Sequence, residues 1–297
     1  MRDIQKGEDP QIAAIIAAID MVAPDLLVLT DFDYDLDGIA LAAFSAALAS
    51  PFPYQFARRP NTGMASGLDL DGNGWLGEAR DAQGYGRFAG DGGMAILSRF
   101  SIDRYAVVDL SGLLWRDMPG ASLPDGFFSA QVLDAHRLST SGHWIVPVQP
   151  PDKAPFHVLA FAATPPVFDG PEDRNGLRNR DELRLWTHVL DGHFGPAPAH
   201  FVLAGNANLD PQDGAGFSQA MAEFLADPRL QDPLPGIHTA DWPDDGPGNL
   251  RVSYVLPDAE WQVHDAGVHW PAGQPGSTDS DSLVAGPHHL VWVDISR

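Results

Sequence analysis

The segment LDLDGNGWLGEARD has carboxylate and amide side chains at the spacing of a calcium-binding loop of the EF-hand type. Alternate oxygen donors, with Gly74 at the sharp turn, can surround a hard cation. The last position of such a loop, where a bidentate Glu is usual, is Arg80. We predict that the loop binds Ca²⁺, and the alternative is a plain Asp and Gly turn. The predicted ligands are Asp69, Asp71, Asn73 and Asp81.

A dense group of acids follows the apolar run LLVLT, in the segment TDFDYDLD. Carboxylates this close repel one another unless they are solvated or bind cations or hydrogen-bond donors. Asp31, the first of them, is therefore a candidate metal ligand. The alternative is a strand-to-helix loop in which an Asp caps the helix.

Other polar side chains lie next to predicted strands. Asn206 and Asn208 follow the strand of AGNANLDPQDG directly, where open sheets bind ligands, although an Asn and Asp turn explains them equally. His288 precedes the last predicted strand, a place where a lone histidine is more often structural. The stiff loop ATPPVFDGPEDRNGLRN can hold polar side chains over a site. Its candidates for substrate binding are Arg174, Asn175 and Arg178.

The elements that must position these residues can be read from hydrophobic periodicity. The segment DPQIAAIIAAIDMV predicts a helix, with Asp9 as N-cap and Pro10 in the first helical position. Further helices are predicted at 38–48, 178–190 and 216–226. Strands are predicted at 26–30, 94–100, 144–148, 157–163, 200–205, 251–257 and 289–295. The Gly- and Asp-rich stretch 51–93 reads as one long ordered excursion.

This pattern, with no repeat and no linker, predicts one domain over residues 1–297 of the α+β class, with packed sheets and helices outside. The 297 residues are 44% hydrophobic and 20% charged, which excludes disorder, coiled coil and collagen. A net charge of −22 disfavours long nucleic acid as a partner. The absence of cysteine excludes disulfides, thiolate catalysis and thiolate metal sites. We expect no membrane span and no signal peptide in this sequence, which leaves the localisation open.

The order of the motifs resembles the endonuclease/exonuclease/phosphatase superfamily, the deoxyribonuclease-like group of metal-dependent phosphoesterases. The resemblance covers nearly the whole chain and points to a bacterial branch. The segments that carry it are PNTGMASGLDLDGNG, DAQGYGRFAGDGGMAILSR, TPPVFDGPEDRNGLRN, GNANLDP, RVSYVLP and PHHLVWVDI. It implies a four-layer α/β/β/α sandwich of two mixed sheets flanked by helices. It also implies phosphoester hydrolysis, in which one or two Mg²⁺ ions polarise the phosphate and water attacks in line.

The resemblance also implies roles for individual residues. The family's metal-binding Glu falls on Asp31, and its Gly-Asp-x-Asn motif falls on Gly205 to Asn208, so that Asn206 replaces the Asp that helps to activate water. Of the terminal Ser-Asp-His motif only His288 is kept. His288, Asn208 and Asn206 are thus the predicted catalytic positions. The family's opening strand, with its metal-site Asn, would precede MRDIQ and is absent from this chain.

Three further family positions are substituted, because Ala162 stands for a His, Ser253 for an Asp and Pro287 for the Asp of the terminal motif. Acids and bases of such a site act as a unit, so these losses together imply a catalytic activity that is impaired, lost or relocated. Two functions remain. One is a divalent-metal-dependent hydrolase of a small or lipid-like phosphoester, and the other is a catalytically degenerate member that binds a ligand or partner. Oligomeric state is not indicated by the sequence.

Overall fold

The computed structural model describes residues 2–270 and 285–297. It begins with the helices α1 (Arg2–Lys6), α2 (Pro10–Val22) and α3 (Ile39–Ala47). The Asp9 carboxylate caps α2 by accepting the backbone N–H groups of Gln11 and Ile12, at 2.9 and 3.1 Å. Pro10 is the first helical residue, so this helix start is confirmed as predicted.

The first sheet contains β1 (Leu26–Thr30), β2 (Tyr54–Phe56) and β3 (Met94–Ser98) in the order β1-β3-β2, with both pairs antiparallel. Side chains alternate across β3. Ala95 and Leu97 pack in a cluster with α2 and α3, whereas Met94 and Ile96 pack against the second sheet. The central strand is therefore buried on both faces, as its unbroken apolar sequence indicates.

The second sheet has six strands in the order β11-β8-β7-β6-β4, and β5 also pairs with β6. Their bounds are β4 (Ser101–Ile102), β5 (Val108–Asp109), β6 (His143–Gln149), β7 (Phe156–Ala162), β8 (Phe201–Asn206) and β11 (Ser253–Pro257). β7 and β8 are parallel and the other pairs are antiparallel, so the sheet is mixed. A parallel pair needs a crossover connection, and α5 (Arg174–Leu190) provides it.

The clusters of buried side chains define four layers. One face of the second sheet packs against the first sheet, through Val158 and Ala160 of β7. The other face packs against α5 and α6 (Ser218–Leu225), through Leu159 and Phe161 of the same strand. The order of layers is helix, sheet, sheet, helix, and the α+β class is confirmed.

Shorter elements complete the chain. They are two 3₁₀ turns (Ala79–Asp81 and Trp115–Asp117), α4 (Ala130–Leu133), the antiparallel pair β9 (Ala240–Asp241) and β10 (Asn249–Leu250), and the antiparallel hairpin β12 (Gln262–His269) and β13 (Leu290–Ser296). β12 was not predicted from the sequence, because its polar and partly exposed residues lack the apolar alternation of a half-buried strand.

α5 begins at Arg174, four residues before the predicted start at 178. Gly176 favours a loop at this point when the sequence alone is considered. In the structure a Cβ at this glycine would lie 2.2 Å from Oδ1 of Asp173, the N-cap residue. Gly176 therefore leaves room for the Asp173 carboxylate beside the first turn of α5.

β1 and β13 are end strands of their sheets among the described residues, and both line one cavity of about 2120 Å³. Val158 and Val202 of the second sheet form part of its floor, while Ile15 and Ile19 of α2 line it as well. In the described part of the chain, the helices are too short or too polar to cross a bilayer.

Candidate functional site

The large cavity brings together most of the residues predicted to do chemistry. Asp31 directly follows the end of β1, and Asn206 ends β8 and pairs with Ala162 at the end of β7; all three line the cavity. The first turns of α5, the segment after β8 and the segment before β13 add the remaining side chains. The predicted site residues that line the cavity are Asp31, Arg174, Asn175, Arg178, Asn206, Asn208 and His288.

Asp31 lies at a solvent-exposed, acidic corner of the cavity. Its backbone adopts a φ of 58°, and a Cβ on Gly92 would lie 2.7 Å from its Oδ1. Desolvation by the surrounding walls raises the pKa of Asp31, and the charges of Asp33 and Asp91 raise it further. A bound cation would relieve this repulsion, so the corner suits a divalent metal. Asp91 also lines the cavity and was not singled out from the sequence.

Asn206 and Asn208 satisfy each other's polar groups. The Asn206 side chain donates from Nδ2 to Oδ1 of Asn208 at 3.1 Å, and its Oδ1 accepts the backbone N–H of Asn208 at 2.9 Å. Asn208 donates in turn to the carbonyl of Ala163 at 2.8 Å. An amide has no proton-accepting nitrogen at pH 7, so Asn206 does not act as a general base.

His288 is exposed to the cavity and packs edge-on against Trp242, with ring centroids 5.1 Å apart. The surrounding walls nevertheless lower its pKa by burial, so that the ring is neutral at pH 7. A neutral imidazole in the cavity can accept a proton from water or hold a hydrogen bond to a ligand.

The predicted substrate-binding residues of α5 use many of their hydrogen-bond donors in contacts within the protein. Arg174 donates to the carbonyl of Leu70 at 3.0 Å, and Asn175 donates to that of Val167 at 2.7 Å. Arg178 is 7% exposed, and its Nε and Nη2 donate to four carbonyls. Burial lowers its pKa to about 10, so it stays charged. Binding of substrate by these residues stays a prediction.

The carbonyls that bind Arg178 belong to Leu138, Gln83, Arg137 and Ser139. Arg174 reaches Leu70 in the excursion 51–93. α5 thereby fixes this excursion against the rim of the cavity. Only the tertiary structure identifies this positioning role, because the partners lie 39 to 104 residues away in sequence.

The predicted calcium loop forms a compact turn beside the cavity. Asp69, Asp71 and Asp81 each place one carboxylate oxygen within 4.8 Å of the others. Asp69 accepts the backbone N–H groups of Gly72 and Gly74, at 2.7 and 2.8 Å, and the bond from Gly74 lowers its pKa most. The side chain of Asn73 donates to Asp71 at 3.2 Å. Ca²⁺ binding by this loop stays a prediction.

Several residues at the cavity were missed by sequence reasoning. Arg80 and Arg87 line it and form no ion pair among the described residues. Tyr85, Phe88 and Phe168 line it too and are 60%, 51% and 76% exposed. Arg87 in the motif DAQGYGRFAGDGG is a usable sequence signal, since it lies in the excursion that the sequence predicts to be ordered. The positions predicted to have lost family side chains, Ala162, Ser253 and Pro287, line the same cavity.

Solved structures of similar fold come from several organisms. The endonuclease/exonuclease/phosphatase from Beutenbergia cavernae DSM 12333 is 18% identical, with a TM-score of 0.57 over 97% of this chain and 66% of that chain. The 3' phosphatase NExo from Neisseria, bound to product DNA hairpin, is 16% identical, with a TM-score of 0.55 over 97% and 95%. The human Nocturnin catalytic domain is 11% identical, with a TM-score of 0.54 over 97% and 87%.

This chain thus spans just under two thirds of the Beutenbergia protein, and the structural likenesses establish the fold. No curated protein sequence matches the chain. The family model named Endonuclease/Exonuclease/phosphatase family matches residues 4–282. That match covers nearly the whole sequence and confirms the resemblance seen in its motifs. The chain belongs to the Endonuclease/Exonuclease/phosphatase family.

Proposed function

We propose that this protein is a divalent-metal-dependent phosphoester hydrolase that acts on a small or lipid-like phosphate rather than on long nucleic acid. The observation that carries the proposal is the single cavity that gathers Asp31, Asn208 and His288 at the ends of the strands. Membership of a phosphoesterase family supports the reaction type. The arginines and the exposed aromatic rings of the cavity support the substrate class.

Arginines around the cavity support an anionic ligand. The whole chain has 18 basic residues against 40 acidic ones, so its average surface repels phosphates. Five arginines nevertheless line this one cavity, namely Arg80, Arg87, Arg174, Arg178 and Arg297. Guanidinium groups bind phosphate oxygens in pairs, and Arg80 and Arg87 are free of carboxylate partners within the described residues.

Exposed aromatic side chains beside these arginines support a ligand with an apolar or planar part. Tyr85, Phe88 and Phe168 line the cavity with more than half of their surface exposed. Apolar rings left exposed around a polar site are typical of a binding surface. The negative charge of the molecule opposes a long polyanion, which would extend beyond the few arginines.

Asp31 would hold Mg²⁺ if the metal site of the family is kept, and Asp91, whose charge acts on Asp31, is a second carboxylate that lines the cavity. Mg²⁺ is commonly bound by one or two carboxylates together with substrate phosphates and water, which fits these two residues. When bound, the ion supplies electrostatic stabilisation of the phosphate. His288 would accept or return a proton at a ring nitrogen, and Asn208 would hold the phosphate by hydrogen bonds.

The decisive experiment measures hydrolysis of a generic phosphodiester and a generic phosphomonoester with Mg²⁺, Mn²⁺, Ca²⁺ or chelator. Metal-dependent turnover should fall by about 10²- to 10⁴-fold in His288→Ala, because a proton-transfer group is removed. His264→Ala is the matched control, since that histidine bonds Ser296 on the hairpin and lies outside the cavity lining. Turnover that survives in His288→Ala contradicts the proposed role.

A second candidate function is ligand binding without catalysis. It is favoured by Asn206, Ala162 and Ser253, which offer no acid, base or charged metal ligand at the cavity. If folded protein shows no turnover with any metal, the hydrolase proposal fails and this alternative is favoured. Gain of turnover in the triple variant Asn206→Asp, Ala162→His and Ser253→Asp would then support loss of an ancestral activity.

We further propose that the loop from Asp69 to Asp81 binds Ca²⁺. The three grouped carboxylates support this, and the backbone N–H groups now bonded to Asp69 would share or give up its oxygens. Calorimetric titration should detect one Ca²⁺ site that is weakened in Asp71→Ala. Equal binding by the variant, or none by the unmodified chain, would rule this site out.

A further inference from the structure

The end of α5 brings two histidines together through a Schellman motif. His193 donates its backbone N–H to the carbonyl of His188 at 3.0 Å, and Gly192 donates to that of Val189 at 3.0 Å. Gly192 has a φ of 81°, the left-handed conformation that this motif requires. Side chains flanking such a cap often make an apolar contact. Here they are two imidazoles, with centroids 5.1 Å apart at an angle of 85°.

Asp191 adds a carboxylate to the histidine pair. One donor atom from each of His188, Asp191 and His193 lies within 4.8 Å of the other two. Zinc bonds to nitrogen and oxygen are about 2.0–2.2 Å long, so donors on one ion lie within roughly twice that distance of each other. Small side-chain rotations are enough to bring the three atoms onto a single ion.

Neither ring nitrogen of His188 has a hydrogen-bond partner of normal geometry among the described residues, which is independent support for a bound ligand. Both are shielded from solvent, and the backbone of Pro119 lies close enough to raise the pKa of the ring but outside hydrogen-bonding distance or angle. A buried polar atom without a partner is unfavourable, and a metal bond would satisfy one of the two. Burial, and then the charges of His193 and Arg184, lower the pKa of His188, so its ring is neutral near pH 7.

The surrounding charges are compatible with a cation. The carboxyl end of a helix carries the negative end of its dipole, and this group lies at the carboxyl end of α5. Arg229 bonds Oδ1 of Asp191 at 2.8 Å and so competes for one oxygen. Oδ2 of the same carboxylate accepts no hydrogen bond from the described residues and remains available.

We propose that His188, Asp191 and His193 form a binding site for a divalent transition-metal ion such as Zn²⁺, with water completing the coordination. Two imidazoles favour Zn²⁺ over Mg²⁺ and Ca²⁺, which prefer oxygen ligands. The site is separate from the large cavity, because His188 follows Arg178 by about 15 Å of helix. It therefore stands whether or not the proposed hydrolase function holds.

Calorimetric titration of the full chain with Zn²⁺ tests the site. His193→Leu removes one ligand but keeps an apolar side chain where the Schellman motif tolerates it. This variant should bind one fewer Zn²⁺ ion per chain, or bind it at least about 10-fold more weakly. His264→Leu is the matched control and should bind Zn²⁺ as the unmodified chain does. Titration with Mg²⁺ should not distinguish the three proteins.

Unchanged number and affinity of Zn²⁺ sites in His193→Leu would overturn the proposal. If that variant does not fold, Asp191→Asn replaces it, since the amide has the same shape and a weaker metal affinity. Binding by Asp191→Asn that equals the unmodified chain likewise refutes the site. Phosphoester turnover, measured in parallel, should be unchanged in both variants, so that a failure of the proposed hydrolase function is recognised separately.

Discussion

The buried ionisable side chains of α5 hold together the loops behind the candidate site. Glu182 is fully buried and accepts the backbone N–H groups of Thr140 and Thr164, at 2.5 and 2.7 Å. Arg178, one turn earlier, donates to carbonyls of the neighbouring loops. Burial raises the pKa of Glu182 to about 7, against a lowering by Arg178 and by these hydrogen bonds. Protonation of Glu182 is therefore coupled to the positions of the loops that Glu182 and Arg178 bind.

Replacement of Glu182 by Gln should change how stability depends on pH. In the unmodified chain the folded pKa of about 7 exceeds the ordinary value of 4.5, so the folded state retains a proton that the unfolded state loses. The glutamate contribution is therefore present below pH 4.5 and is lost as pH rises to about 7, by roughly 3 kcal/mol. Glutamine does not titrate.

We expect the free energy of unfolding of the unmodified chain minus that of Glu182→Gln, both measured with urea, to be larger at pH 5 than at pH 8. Subtracting one free energy of unfolding from the other cancels the contributions of other titrating groups. One of these is His143, whose pKa is lowered by burial to about 4. Relative to the protonated glutamate, the glutamine should also cost about 1–3 kcal/mol, because its NH₂ group faces a backbone donor. A difference that does not vary with pH would contradict the raised pKa.

At the scale of elements, the long excursion 51–93 contains only the short strand β2 and one 3₁₀ turn, and the rest of it is ordered by close contacts between loop residues. A Cβ on Gly63 would lie 1.6 Å from the carbonyl oxygen of Phe88. Asn61 donates to the carbonyls of Ser111 and Ser139, each at 2.7 Å. These contacts hold Tyr85 and Phe88 where they line the cavity. Local periodicity could not predict them, because they join residues distant in sequence.

Gly63→Ala and Gly67→Ala should separate the two reasons for glycine in this excursion. Both glycines have positive φ, of 66° and 74°, but a Cβ on Gly67 meets nothing within 4 Å. Gly67→Ala should therefore cost only the strain of the left-handed conformation, about 1–2 kcal/mol. Gly63→Ala should cost about 1–3 kcal/mol more, because the carbonyl of Phe88 must move.

Urea denaturation of both variants measures the two costs, and binding of inorganic phosphate reports whether the cavity is disturbed. Gly63→Ala should weaken phosphate binding and Gly67→Ala should not. Equal costs in the two proteins would mean that the excursion does not pack as described.

At the scale of the whole molecule, excess negative charge opposes the compact state. The net charge of −22 is spread over a chain of 297 residues, and like charges that are closer in the folded state repel one another. Salt shortens the Debye length from about 30 Å at 0.01 M to about 8 Å at 0.15 M. The repulsion between distant surface carboxylates is largely screened over this range.

Raising the NaCl concentration from 0.01 to 0.15 M should therefore raise the Tm. The double variant Asp244→Lys and Asp245→Lys changes the net charge from −22 to −22 plus 4, or −18, at two exposed positions without hydrogen-bond partners among the described residues. Its Tm should rise less with salt. Differential scanning calorimetry measures the Tm of both proteins at each NaCl concentration. A Tm of the unmodified chain that stays constant or falls with NaCl would show that charge repulsion is unimportant.

The sequence by itself determined the α+β class, most helices and strands, the family and the residues gathered at the cavity. These follow from local periodicity, from capping at Asp9 and from motif order, all of which depend on residues that are close in sequence. Periodicity failed at β12, whose residues are polar, and at the first turn of α5, where Gly176 makes room for Asp173.

Only the tertiary structure decided which side chains serve structure and which face the cavity. Arg178 resembles a ligand-binding arginine in sequence, yet the carbonyls of four loop residues occupy most of its donors. Asp91 became a neighbour of Asp31 because the end of the excursion folds back against the segment that follows β1. Such environments depend on contacts between distant residues, whose burial and charge no local pattern encodes.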